Sequence, residues 1–414
     1  MNEKFKKVND ILLKYDQPHL LDFYSELSPA NQEKLLTQIE NIDFKEIFNL
    51  YDNSMKNEEI SLSDISPLVY YEKNKFEKKD IDYYTNIGNN IISSNSFAVV
   101  TLAGGQGSRL GYKGPKGTYM LPLKPNKKSL FQIICEDLKR FNKQFNITIP
   151  WYIMTSNTND LDTKYFFEEN NYFNYPKEKI TFFKQEQLPI ITLNKDLILD
   201  ELHVVKEAAN GNGNVFKSLK NNNILEEMER NNIKWISFGG IDNVLLKNID
   251  PFLLGLTINK NLEIASKSIF KKDPLEKTAV YCRKHGKPSI LYYDMIDLET
   301  SELKDSNGLY LYRDANILSH LISLNAVKQI SEVDLRYHRA FKKNTFINTE
   351  GMKQIPDKPN TFKFENFIFD AFEHFDDMLL LRVEEDDEFA PIKDFTSKYN
   401  PDTASIKYIN YFKI

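Results

Sequence analysis

The chain has 414 residues, 41% hydrophobic and 27% charged, with only 15 glycines and 16 prolines; this is the composition of an enzyme-sized folded protein and excludes a peptide hormone, a collagenous chain or a wholly disordered one. Lys and Arg total 54 against 59 Asp and Glu, a net charge of -5, so nothing draws the surface generally towards nucleic acid or a membrane, and any phosphate binding must be local. Cys135 and Cys282 stand far apart with no C-x-x-C partner, which excludes a disulfide framework or a Cys-based zinc site and points to a reducing, cytoplasmic compartment.

The start, MNEKFKKVND, is basic, but the apolar run after it is broken by Lys14 and Asp16 before it could form a signal-peptide core. No stretch reaches the roughly 18 apolar residues needed to span a bilayer. From Lys4 to about Tyr51, apolar residues such as Val8, Ile11, Leu12, Leu35 and Ile39 recur at helical spacing, predicting two or three amphipathic helices. Ser28-Pro29 with Asn31 marks one helix start, and Glu33 favours its positive end. Lys56 to Lys79 mixes charge with Pro67 and few periodic positions, predicting a connecting segment over the surface, a linker or lid.

A helix is predicted over Asp80–Ile92, then a compact buried strand over Phe97–Leu102 that ends in glycines. The pattern then alternates: helix Ser129–Phe141, strand Pro150–Thr155, helix Asp160–Asn170, strand Ile180–Lys184, helix Val215–Asn231, strand Trp235–Gly239. Strands separated by helices of this length predict β-α-β crossovers in one mostly parallel, Rossmann-like sheet. Beyond Leu262 the strands Ala279–Cys282 and Ser289–Tyr293 lie closer together and predict antiparallel additions. The expected organisation is a helical lobe over 1–92, a catalytic α/β domain over 93–344 and a smaller lobe over 345–414 that holds Phe362, Phe364, Phe367, Phe369 and the acidic run EEDDE.

The strongest chemical signal follows the Phe97–Leu102 strand: Leu102-Ala103-Gly104-Gly105-Gln106-Gly107-Ser108-Arg109-Leu110-Gly111, then Pro115-Lys116-Gly117. Glycines directly after a buried strand let the backbone approach a ligand and turn its N–H groups towards an anion. Arg109 adds a forked donor and Lys116 a point charge, a set suited to a polyphosphate. The spacing matches neither G-x-x-x-x-G-K-[ST] nor G-x-G-x-x-G, which weakens the Walker and dinucleotide readings. A GG pair alone is more often a tight turn; the whole string argues otherwise.

This string resembles the signature of UDP-sugar pyrophosphorylases, most closely the eukaryotic-type UDP-N-acetylglucosamine pyrophosphorylases, with Ser108 where they typically show Thr. The resemblance runs from HLLDFYSEL at His19 through WYIMTSN at Trp151 and FFKQEQLP at Phe182 to DEFAPIKD at Asp387. It implies a nucleotide-diphospho-sugar transferase fold and a uridylyltransferase joining UTP and N-acetylglucosamine 1-phosphate.

The resemblance also implies roles residue by residue. Leu102, Ala103, Gly104 and Gly105 would line the nucleotide. Gln185 would read the uracil edge, for which an amide has both a donor and an acceptor. In Asn210-Gly211-Asn212-Gly213, Gly211 would approach the uracil and Asn212 the N-acetyl group, Asn210 standing where the family has aspartate. Asp242, after the strand Trp235–Gly239, would hold Mg²⁺, a hard cation suited to one carboxylate plus phosphate oxygens, and a strand end is where ligands bind in open α/β sheets. Lys393 would reach the phosphates with Arg109 and Lys116, and Phe367 and Phe369 would wall the sugar.

The match is poorer around the sugar. Ala279 stands where the family has Gly, and Tyr292-Tyr293 where it has Glu-Tyr; a phenol cannot supply that glutamate's charge. Arg313 replaces an asparagine, while Asn316 keeps its own. The six histidines form no H-x-H or H-x-x-x-H pair, and no G-x-S-x-G elbow occurs, so neither a zinc site nor a serine hydrolase is expected. Two other readings stay open: a UTP-dependent pyrophosphorylase for glucose or N-acetylgalactosamine 1-phosphate, and a non-catalytic nucleotide-sugar-binding relative, against which Lys116, Asp242 and Lys393 argue. The oligomeric state is left open.

Overall fold

The computed structural model describes residues 3–54, 62–273, 276, 278–292 and 298–413. Two compact units emerge, each assembled from separate stretches: residues 1–59, 186–214 and 335–367 in the first, residues 60–185, 215–334 and 368–414 in the second. Sequence order suggested three consecutive lobes instead. The difference arises because strands distant in sequence pair with each other, which local periodicity does not report.

In the first unit, three amphipathic helices, Glu3–Lys14, Pro29–Glu40 and Phe44–Ser54, match the periodic stretch. Ser28 caps the second of these by accepting from the Asn31 N–H. Their apolar faces (Val8, Leu12, Leu35, Leu36, Ile47) close on Ile191, Leu197, Val205, Phe362 and Phe364 in one buried cluster. Ile191 pairs with Phe362 across antiparallel strands, and the Gln38 amide bonds both the N–H and the C=O of Val205.

The second unit is built on a mixed sheet. Besides the short strand Ile65–Ser66, which pairs antiparallel with Arg283–Lys284, its strands are β1 (Tyr71–Glu72), β2 (Phe97–Leu102), β3 (Trp151–Thr155), β4 (Ile180–Lys184), β5 (Trp235–Gly240), β6 (Ile264–Phe270), β7 (Val280–Lys284), β8 (Lys287–Leu291), β9 (Asp314–Ser323) and β10 (Leu379–Val383). The main path runs β1-β10-β6-β9-β5-β2-β3-β4. From β5 to β4 all neighbours are parallel; β9 runs antiparallel between β5 and β6, and the β7–β8 hairpin attaches to β9. The helices α1 (Lys78–Ser93), α2 (Leu130–Phe145), α3 (Asp160–Glu169), α4 (Val215–Asn221), α5 (Ile224–Arg230), α6 (Pro251–Asn259), α7 (Leu324–Ser331) and α8 (Pro401–Phe412) complete this unit's longer helices. β2, β3 and β5 are buried along their whole length, as strands covered by helices on both faces must be.

The predicted helix over Val215–Asn231 is two helices, because Asn223 adopts a left-handed backbone (φ 57°) between α4 and α5, a conformation asparagine tolerates better than most residues. The segment predicted to cross the surface also contributes to the sheet: Tyr71–Glu72 pairs in parallel with Leu381–Arg382. Residues 56–61 of that segment lie outside the described residues.

Candidate active site

Parallel register places Gly240 of β5 beside Leu102 of β2, and the Ile241 N–H donates to the Leu102 carbonyl at 3.3 Å. The glycine loop and the Asp242 turn therefore leave the sheet side by side from carboxyl-terminal strand ends, where open α/β sheets bind ligands. Leu102 and Ala103 are buried at the loop's root. The loop folds on itself: the Lys116 N–H donates to the Gly105 carbonyl at 3.0 Å and the Gly107 N–H to the Gly114 carbonyl at 3.0 Å. From outside, the Asn159 amide donates to the carbonyls of Ala103 (2.9 Å) and Gly105 (3.3 Å). This brace was not foreseen.

Lys116 opens a 3₁₀ turn, Lys116–Thr118, and its Nζ lies 3.1 Å from Asp242 Oδ2. Lys393 joins the pair: the Ile392 N–H donates to the Asp242 carbonyl at 2.9 Å, and the Lys393 ammonium stands 4.9 Å from the Tyr399 ring centre. Burial lowers the Lys393 pKa below the ordinary lysine value; Asp242 and Glu276 oppose the shift, while Lys116 and Lys398 add to it. Two lysines and one carboxylate thus converge beside the glycine loop. Arg109 lies exposed on the 3₁₀ turn Ser108–Leu110.

Gln185, directly after β4, is buried, and its backbone N–H donates to the Thr155 carbonyl at 2.9 Å. Its side chain lies against Gly104 so closely that a Cβ there would fall 2.3 Å from Gln185 Nε2. Only glycine at 104 leaves this amide its place. The loop and the expected base reader are therefore one assembly.

Three further groupings hold the residues expected at the sugar. Asn316 lies on β9 near Leu318, whose backbone is left-handed (φ 55°). Its N–H donates to the Ala279 carbonyl at 2.9 Å, and its Oδ1 accepts from the Tyr281 hydroxyl at 3.1 Å and the Leu318 N–H at 2.9 Å. Tyr292 donates its hydroxyl to Asp370 Oδ1 at 3.2 Å and sets its ring 5.5 Å from buried Phe369, so a carboxylate stands next to the phenol. Tyr293 lies outside the described residues. Arg313 is engaged elsewhere, 3.6 Å from Asp305 and 3.2 Å from the Tyr70 hydroxyl.

The third grouping is in the first unit. Gly211 has φ +97°, and a Cβ there would lie 2.0 Å from the Asn366 carbonyl oxygen; conformation and space both demand glycine. The Asn366 N–H donates to the Asn210 carbonyl at 2.9 Å and the Gly213 N–H to the Asn366 carbonyl at 3.1 Å, fixing the turn that presents Asn212. Phe367 follows, its ring 5.4 Å from His338. Phe367 and Phe369 belong to different units, which their alternation in sequence did not reveal.

Among the described residues no group of three or more His, Cys, Asp or Glu side chains could hold a metal unaided, and no helix is long and apolar enough to cross a membrane. A family model described as UTP–glucose-1-phosphate uridylyltransferase matches residues 42–399. UDP-N-acetylglucosamine pyrophosphorylase of Saccharomyces cerevisiae is 34% identical over 96% of this chain and 88% of that protein. The crystal structure of a Trypanosoma brucei uridine diphosphate N-acetylglucosamine pyrophosphorylase with an inhibitor aligns over 99% of this chain and 85% of its own, with TM-score 0.82 and 27% identity. An Entamoeba histolytica protein described as a putative UDP-N-acetylglucosamine pyrophosphorylase aligns over 84% of this chain and 88% of its own, with TM-score 0.77 and 30% identity.

Proposed function

The chain belongs to the UTP–glucose-1-phosphate uridylyltransferase family, and we propose that it is a nucleotidyltransferase making UDP-N-acetylglucosamine and pyrophosphate from UTP and N-acetylglucosamine 1-phosphate. The observation that carries this reading is the Lys116–Asp242–Lys393 convergence beside the glycine loop. Similarity to the yeast pyrophosphorylase over nearly the whole chain supports the choice of sugar.

An oxygen of the sugar phosphate attacks the α-phosphorus of UTP in line, the bond to the β-phosphate oxygen breaks, and pyrophosphate leaves carrying the electron pair. No side chain need form a covalent intermediate, so catalysis rests on positioning and charge neutralisation. The amides of Gly104 and Gly105 with Arg109 would hold the departing phosphates. Lys116 and Lys393 would offset charge at the α-phosphate and the nucleophile. Gln185 and Gly211 would select uracil. By the family resemblance, Asn212 would read the N-acetyl group, and Ala279, Asn316, Tyr292, Phe367 and Phe369 would serve the sugar.

A single carboxylate at a strand end fits Mg²⁺, which is commonly held by one or two carboxylates together with substrate phosphates. Asp242 would hold it, and the ion would neutralise phosphate oxygens. A reducing cytoplasm is part of the reading: Cys135 and Cys282 are both free and buried, with burial pushing each thiol up to about 12.

The test is direct. UTP, N-acetylglucosamine 1-phosphate and Mg²⁺ incubated with the protein should yield UDP-N-acetylglucosamine, identified by mass, in step with pyrophosphate. Failure to form any UDP-sugar would refute the reading.

A further inference from the structure

The segment that carries Lys393 has no long element of its own, yet one buried side chain ties it to the end of β5. Asn243, 3% exposed, donates from Nδ2 to the Glu388 carbonyl at 2.7 Å. Its Oδ1 accepts from the Ala390 N–H at 2.8 Å and from the Leu245 N–H at 3.3 Å. The main chain repeats the connection: Val244 N–H to the Ala390 carbonyl at 3.3 Å, and Ile392 N–H to the Asp242 carbonyl at 2.9 Å.

The same segment is anchored below. Lys267 on β6 has a side chain only 1% exposed, and its Nζ lies 2.6 Å from Glu388 Oε2 and 2.7 Å from Asp250 Oδ2. Asp250 in turn caps α6, accepting from the N–H groups of Phe252 and Leu253 at 3.1 Å each. Burial alone would push the Lys267 ammonium down, but its two carboxylates outweigh that and hold it above the ordinary value. Strand β6, the start of α6 and the Glu388 side chain are thereby fixed to one another. Replacing such a cluster with apolar residues often stabilises a protein, so stability alone is a weak account of it.

We propose that Asn243 is a positioning residue which, with the Glu388–Lys267–Asp250 cluster as its anchor, holds Lys393 in place against Asp242 and Lys116. This rests on the role given to Lys393 above. Lys393 comes three residues after Ala390 and directly after Ile392, so loosening either bond moves its ammonium relative to Asp242. A displacement of about 1 Å can cost about a hundredfold in rate.

Two readouts test this. Asn243→Ala should lower kcat by about 10- to 100-fold with little change in the UTP KM, whereas in a Lys393→Ala background the same substitution should cost less than about threefold. Independently of turnover, an amine-directed acylating reagent followed by mass spectrometry should label Lys393 faster in Asn243→Ala, because its ammonium is no longer held. A full additional loss in the Lys393→Ala background, or an unchanged labelling rate, overturns the inference. Should Asn243→Ala fail to fold, Asn243→Asp keeps the shape and the acceptor for Ala390 and loses the donation to Glu388; the same labelling comparison then decides. A wild-type chain that makes no UDP-sugar would refute the proposed function alone, and labelling would still decide the positioning role.

Discussion

Replacing Lys116 with methionine removes the ammonium and keeps most of the stem. In the free protein this ammonium is paired with Asp242 at 3.1 Å, both side chains part-exposed, at 16% and 31%. Solvent reaches the pair, so losing it should cost no more than about 1 kcal/mol of stability. Its backbone is held by the bond to Gly105 and the Tyr119 N–H at 3.1 Å, neither of which the substitution touches. On the role proposed for Lys116 the transition state should suffer far more, because charge would build on phosphate oxygens where a fixed cation has gone. Removing one preorganised donor of this kind costs about 10²–10³ in kcat, or about 2.7–4 kcal/mol. Pyrophosphate release at saturating UTP and sugar phosphate, measured beside the thermal midpoint, separates the two effects. Near-normal turnover, or an activity loss explained by unfolding, would refute the reasoning.

Gln185→Ala and Gly104→Ala should act alike, since the Cβ at 104 displaces the Gln185 amide; both should raise the UTP KM and narrow the preference over CTP, and unchanged discrimination in competition assays would remove Gln185 from the base site. On the role proposed for Lys393, its lowered pKa should bring the alkaline limb of kcat/KM below the ordinary lysine value of about 10.4, since that ratio reports the free enzyme; Lys393→Arg should move the limb up, and an unmoved limb would assign it to another group. Asp250, though buried, is held below the usual carboxylate range by Lys267 and by the Leu253 N–H. Its folded pKa is depressed, so its contribution to stability is present above about pH 3.9 and lost as pH falls through the folded value. Asp250→Asn should therefore unfold more easily in urea at pH 7, by about 3–5 kcal/mol for a broken buried pair, with a weaker acid dependence; an acid profile matching the parent would contradict this.

What the sequence revealed follows from range. Phe97–Leu102 and Ile180–Lys184 have the predicted bounds, because a buried strand closed by glycines or a polar turn carries its signal locally. The glycine loop's signal is local too, whereas the approach of Lys116 to Asp242, 3.1 Å apart, joins residues far apart in sequence and had no local sign. Long-range pairing was not legible: nothing around Ile191 announces Phe362 as its partner. Nor was the fate of Arg313, whose place between Asp305 and Tyr70 depends on residues distant in sequence. Asn243 stood in plain view beside Asp242, but its value lies in backbone groups of Glu388 and Ala390, which side-chain identity cannot disclose.

The central claim concerns substrate, and internal competition tests it without reference to enzyme concentration. Equal amounts of the 1-phosphates of N-acetylglucosamine, N-acetylgalactosamine and glucose are mixed with limiting UTP and Mg²⁺, and the UDP-sugars formed early are quantified by mass. A site built to bond an amide leaves a buried partner unpaired when the sugar lacks one, at about 1–3 kcal/mol. UDP-N-acetylglucosamine should then exceed UDP-glucose by about tenfold or more, whereas UDP-glucose as the main product, or no UDP-sugar at all, would contradict the account.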